Sequence, residues 1–172
     1  MNLILIGCMG CGKTTVGALL AEQYQYTCID TDQWIEQEEG RTITEVFRTD
    51  GEAGFRAIEK NALRRLFPAD RTILSTGGGI ILDPENVARL RDNGTVLYLK
   101  RSPESLYERL VGVTGLPLLD GTEGEARLER IRALLDKRES LYTTAAHQVI
   151  ACDDRESEAI AQEIGLSFLK NS

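Results

Sequence analysis

The chain has 172 residues, 42% of them apolar, with 27 acidic against 20 basic side chains and a formal charge of −7. That is enough for one α/β domain with a core of its own and too little for two. The acidic balance excludes a general nucleic-acid or membrane-surface role, which needs a basic field, and no run approaches the roughly 20 apolar residues of a membrane span.

In chain order, Leu3–Ile6 (LILI) is too short for a helix and suits a buried parallel strand. It runs into Gly7-Cys8-Met9-Gly10-Cys11-Gly12-Lys13-Thr14, a full G-x-x-x-x-G-K-[ST] phosphate-binding loop. The glycines let successive N–H groups turn inward as an anion nest, and Lys13 adds a positive charge. Thr14 offers a hydroxyl to Mg²⁺, and a helix starting near Lys13 directs its positive dipole end at a β-phosphate. Nucleotide phosphate is the ligand this implies.

Further apolar runs at Thr27–Asp30, Thr72–Ser75, 95–99 and 147–151 bring the strand count to five. Helical patterns separate them, so the expected fold class is α/β, a three-layer sandwich around a five-stranded parallel sheet. Thr42-Ile43-Thr44-Glu45 has capping-box spacing and predicts a short helix from Ile43 that ends before Asp50-Gly51. Phe55, Ile58, Ala62, Leu63 and Leu66 then set the apolar face of the next helix. Asp83-Pro84 and Ser102-Pro103 each open another. Residues 111–124 (VGVTGLPLLDGTEG) hold four glycines and a proline, lose all periodicity and read as a mobile loop. Helices are expected again over 125–142 and 156–169.

Cys8, Cys11, Cys28 and Cys152 are expected to be free thiols. No basic, apolar leader precedes the first strand, and a cytoplasmic location follows as an expectation. Cys8 and Cys11 have the spacing of a redox or zinc pair, but no second pair completes a ligand set. His147, the only histidine, is expected to be structural, and Trp34 a core or pocket-wall residue.

Asp30-Thr31-Asp32 closes the second strand. Strand alternation would put both carboxylates on one side and Thr31 on the other, at the carboxyl edge where open α/β sheets bind ligands. One acid can then hold the water shell of Mg²⁺ while the other accepts a proton from, or orients, an acceptor hydroxyl. Thr76-Gly77-Gly78-Gly79 follows the third strand, and three glycines suit a backbone that approaches a ligand closely or takes positive φ. Arg56 has Glu59 three residues on, near enough to orient its guanidinium. Arg138 lies near the end of a later helix, and the two arginines matter if they converge on one anion.

Together these residues resemble the shikimate kinase family. GCMGCGKTT, IDTD, GRTITEVFRTDGEAGFRAIE, STGGG, VLYL and KRESLY occur in the family's order and at its spacing over nearly the whole chain. The resemblance implies a P-loop NTPase fold with a lid: one kinase domain over 1–172, a substrate-binding segment near 31–60 and the lid near 111–124. It implies a monomer that moves the γ-phosphoryl of ATP, with Mg²⁺, to the 3-hydroxyl of shikimate in aromatic amino acid biosynthesis.

Carried onto this chain, the resemblance gives Gly10, Cys11, Gly12, Lys13, Thr14, Thr15 and Arg109 to the nucleotide, and Thr14 with Asp30 (through water) to Mg²⁺. Asp32 becomes the base or positioner of the acceptor hydroxyl, with Lys13 as its catalytic partner. Arg56 and Arg138 hold the acceptor carboxylate, and Gly77, Gly78 and Gly79 lie along its ring. The lid departs from the family pattern, because Leu116 stands where relatives carry an arginine directly before Pro-Leu-Leu. No Lys or Arg occurs between Val111 and Glu125, and an arginine finger in related phosphoryl transfer is worth roughly 10³ to 10⁵ in rate. Two further readings stand beside this one: a kinase of another small hydroxylated acid, gluconate-like, and a nucleotide-binding module with weakened catalysis. Intact Lys13, Thr14, Asp30 and Asp32 argue against the module.

Overall fold

The computed structural model describes residues 1–66 and 70–169. Five strands, β1 (Leu3–Ile6), β2 (Thr27–Asp30), β3 (Thr72–Ser75), β4 (Thr95–Lys100) and β5 (Gln148–Ala151), form one all-parallel sheet in the order β2-β3-β1-β4-β5. Each expected strand is present within a residue of its expected ends. The helices are α1 (Lys13–Tyr24), α2 (Thr31–Glu39), α3 (Ile43–Arg65), α4 (Pro84–Asn93), α5 (Pro103–Leu110), α6 (Gly124–Ala145) and α7 (Ser157–Phe168).

Period-two alternation divides the core. Leu3 and Leu5 of β1 face a cluster that includes Val16 and Leu20 of α1, Leu106 of α5 and Ile160 and Ile164 of α7. Ile4 and Ile6 face the other side, with Leu63 of α3, Leu90 of α4 and Tyr142 of α6. Both faces are covered, which is why β1, β3 and most of β4 are buried throughout, while the edge strand β2 is half-buried and β5 is largely exposed. The three-layer α/β sandwich is as expected. No helix among the described residues is long and apolar enough to cross a membrane.

Local signals hold where they are short-range. Thr42 and Glu45 form the capping box, with Glu45 N–H donating to Thr42 Oγ1 at 3.2 Å and Thr42 N–H to Glu45 Oε2 at 2.8 Å. Gly51, at φ 71° and ψ 179°, kinks α3 where the first helix was expected to stop. Helix α2 had no periodic signature, since only Trp34 and Ile35 are large and apolar in TDQWIEQEE. Its start signal is Asp30, whose Oδ1 accepts from the N–H groups of Asp32 (3.0 Å) and Gln33 (3.2 Å). The strand therefore ends at Asp30, and the expected alternation of Asp30, Thr31 and Asp32 gives way to helical geometry.

Candidate active site

The loop of residues 7–14 leaves β1 and enters α1. Gly10 and Gly12 sit at φ 78° and 105°, a left-handed region that strains any residue with a Cβ. Lys13 is buried and folds back over the loop, its Nζ donating to Gly7 O (2.8 Å) and Cys8 O (3.0 Å). A groove of about 460 Å³ beside the loop is lined by Gly10, Gly12, Lys13, Thr14, Thr15 and Arg109. Cys11 sends its side chain into the core and does not line the groove. Arg109 Nε donates to Gly10 O at 2.8 Å. Its Nη2 and the Ser157 hydroxyl lie 3.8 and 3.9 Å from the point where a Gly12 Cβ would stand, so the end of α5 and the start of α7 both reach the loop at Gly12.

Thr14 Oγ1 donates to Asp30 Oδ2 at 2.7 Å and lies 3.5 Å from the Ser75 hydroxyl. One carboxylate with hard hydroxyl oxygens beside a phosphate loop fits Mg²⁺, which keeps much of its shell as water and phosphate oxygens. Asp30 thus serves two structures at once, with Oδ1 capping α2 and Oδ2 on Thr14.

Beyond Asp30 lies a cavity of about 190 Å³ reached by Asp32, Arg56, Glu59, Arg138 and the glycines Gly77, Gly78 and Gly79. Arg56 Nη1 donates to Glu59 Oε2 at 2.8 Å and Nη2 to Glu52 Oε1 at 3.2 Å, so the sequence-level pairing with Glu59 is real. Arg138 is 5% exposed rather than a solvated surface arginine, and its Nη1 points to Gly78 O at 3.5 Å. Both guanidinium groups therefore converge on one cavity. Thr31 Oγ1 accepts from Gly77 N–H at 2.8 Å, which fixes the start of the glycine loop against α2.

Asp32 Oδ1 and Glu59 Oε1 are buried and have no hydrogen-bond partner among the described residues. Burial first, then the Asp30 and Glu59 carboxylates, push Asp32 up to about 6, against the opposite pull of Lys13 and Arg56. Burial also raises Glu59 above the usual carboxylate range, opposed by Arg56 and Arg138. The site joins a glycine-rich loop and a hydroxyl–carboxylate pair to a cavity lined by two guanidinium groups and a buried, unpartnered carboxylate.

A family model described as shikimate kinase matches residues 9–168. The chain belongs to the shikimate kinase family. A shikimate kinase of Symbiobacterium thermophilum is 42% identical over 167 residues, covering 95% of this chain and 94% of that protein. One of Synechococcus elongatus is 41% identical over 175 residues, covering 100% of this chain and 90% of that protein. The structure of the shikimate kinase of Acinetobacter baumannii in complex with shikimate matches with a TM-score of 0.92 at 36% identity, covering 99% of this chain and 94% of that one. The family's reaction is ATP-dependent phosphorylation of shikimate, with Mg²⁺ as cofactor, in aromatic amino acid biosynthesis. The gluconate-like kinase and the non-catalytic module are not favoured.

Residues 111–123 form a loop broken by one 3-10 turn, Pro117–Leu119, and Gly124, the last residue of the expected loop, opens α6. Its base is tied to α6, where Arg127 donates to Leu110 O (2.8 Å), Val113 O (3.2 Å) and Thr122 O (2.9 Å), and Arg130 Nε donates to Leu118 O (3.1 Å). Gly115 and Leu116 line the cavity of Arg56 and Arg138, and Leu116 packs partly buried against the core. With Arg127 and Arg130 engaged by lid carbonyls, the cations lining the phosphate groove are Lys13 and Arg109.

Three contributors escaped the sequence reading. Ser75 ends β3 beside Thr14, Tyr142 donates its hydroxyl to Gly78 O, and the buried Arg101 touches the phosphate loop from behind. Tyr142 had a weak signal, one helical turn after Arg138; the others depend on strand order. His147 Nδ1 accepts from Val96 N–H at 2.9 Å and is structural, and Trp34 packs against the small α2–α3 core beneath Arg65.

Proposed function

We propose that Asp32 is the residue at which donor and acceptor chemistry meet in this shikimate kinase family member. The observation that carries this is its buried, unpartnered Oδ1, on a residue that lines the cavity with Arg56 and Arg138 and lies two positions after the Asp30 that takes Thr14. The two arginines hold the acceptor carboxylate as guanidinium forks, and Gly77, Gly78 and Gly79 bring backbone close to its ring. The 3-hydroxyl then lies toward Asp32, which takes its proton as the oxygen bonds to the γ-phosphorus. The bond to the β-bridging oxygen breaks and ADP leaves. Lys13 and the loop amides stabilise the charge spread over the phosphoryl oxygens, a task the lid does not share because it carries Leu116. Thr14 and Asp30 would hold Mg²⁺, which would supply positive charge to neutralise the phosphates.

Arg109, which lines the groove beside the loop, packs on the adenine. We read residues 1–172 as one kinase domain, with 31–60 binding the acceptor and 111–124 as lid, acting as a monomer in the cytoplasm; the four free cysteines agree with a reducing compartment. A coupled ADP-release assay with shikimate and Mg·ATP tests the assignment. Turnover is expected from the wild type, with a loss of at least 10³-fold in Asp32→Ala on the scale of general-base and positioning losses. Turnover in Asp32→Ala within tenfold of wild type would overturn the role given to Asp32.

A further inference from the structure

A loop that turns its N–H groups toward an anion must send its carbonyls elsewhere, and here cationic side chains meet most of them. Lys13 takes Gly7 O and Cys8 O, and Arg109 takes Gly10 O. Cys11 O accepts from Arg101 Nε at 3.2 Å. Arg101 follows β4 directly, is 5% exposed, and has its far end fixed by Ser105 Oγ and Arg155 O, both at 3.2 Å. All three acceptors are neutral, and Arg101 forms no ion pair among the described residues. A buried charge without a counter-ion is costly in isolation.

We propose that Arg101 is a positioning residue for the nucleotide β-phosphate, acting through the Cys11–Gly12 peptide. A charged donor on the carbonyl of a peptide polarises the N–H at its other end, and that N–H belongs to Gly12, the N-cap residue of α1. Ser105 and Arg155 hold the fork still, so Nε keeps Cys11 O pointing away from the groove and the Gly12 N–H toward it. The negative charge that Arg101 lacks as a partner arrives with the nucleotide. This inference rests on the kinase reading only for the identity of the ligand.

Calorimetric titration of Mg·ADP and of AMP into the full chain without acceptor tests it, for wild type, Arg101→Met and Arg101→Lys. Arg101→Met is expected to weaken ADP about tenfold or more while AMP, which has no β-phosphate, weakens less than threefold. KM for ATP should rise with it, and KM for shikimate should stay within twofold. Arg101→Lys, keeping charge but losing the fork, should fall between wild type and Arg101→Met. ADP affinity within twofold of wild type, or equal losses for ADP and AMP, overturns the proposal. If Arg101→Met does not fold, Arg101→Lys decides by the same comparison: a selective ADP loss supports it and an unchanged ADP affinity overturns it. Because no acceptor is present, absence of shikimate turnover in the wild type would sink the kinase assignment and leave this result standing.

Discussion

Asp32, the proton acceptor in the proposed reaction, stands among other carboxylates, and its position fixes the sign of two pH effects. Held at about 6 by burial and by Asp30 and Glu59, it is mostly ionised at neutral pH and a better base than an ordinary carboxylate. The value of kcat/KM for shikimate should therefore fall about tenfold per pH unit below pH 6, and a profile flat to pH 4.5 would remove Asp32 from the proton path. Stability runs the other way. The folded pKa lies above the unfolded value of about 3.9, so between the two the folded state binds more protons, and stability falls as pH rises from about 4 to 6 and stays at the lower level above. Asp32→Asn removes that penalty. Discounted for the open cavity it is about 2 kcal/mol, or roughly 4–8 °C in Tm at pH 8, with almost none at pH 4. An equal Tm change at both pH values would mean the carboxylate carries no burial cost.

At the scale of elements, the glycine loop after β3 is required for space rather than for unusual dihedrals. None of Gly77, Gly78 and Gly79 has a left-handed φ, and Gly79 sits at −102°. A Cβ at Gly77 would stand 2.7 Å from Asp32 Oδ1 and 2.8 Å from Glu59 Oε1, while one at Gly79 would collide with the Arg56 guanidinium. The loop is the floor on which the polar side chains of the acceptor cavity rest. Gly79→Ala should displace Arg56 and raise KM for shikimate about tenfold, with ADP affinity within twofold of wild type and Tm within a few degrees. An unchanged KM would mean Arg56 does not grip the acceptor where it stands. The need for glycine was legible in the sequence, although not which of close approach and positive φ it served. The same limit hid α2: its cap, Asp30, was visible, but one buried isoleucine in nine residues gives no stripe, and the helix is held by α3 and its small core. Capping boxes, Pro at helix starts and the Gly51 break were legible because each is settled within a few residues.

Across the whole molecule, strand order does what no local pattern could announce. With β3 between β1 and β2, Thr14 after β1, Ser75 at the end of β3 and Asp30 at the end of β2 fall side by side at one sheet edge. Five strands and their bounds could be read from the sequence, and with them Lys13, Thr14, Asp30 and Asp32. Ser75 and Arg101 could not be, since their roles exist only once β3 and β4 flank β1. The same arrangement sets the donor groove and the acceptor cavity next to each other under one segment. Val113 lines the groove, Gly115 and Leu116 line the cavity, and Thr44 Oγ1 donates to Gly115 O at 3.4 Å from α3. If this segment is the proposed lid over both sites, it is ordered once, so the ligand that binds first leaves less ordering for the second. Shikimate should tighten Mg·ADP about fivefold, a coupling of roughly 1 kcal/mol, and ADP must tighten shikimate by the same factor. Calorimetric titration of each ligand with and without saturating amounts of the other measures both arms. Equal affinities with and without the second ligand would show that the lid does not couple the two sites.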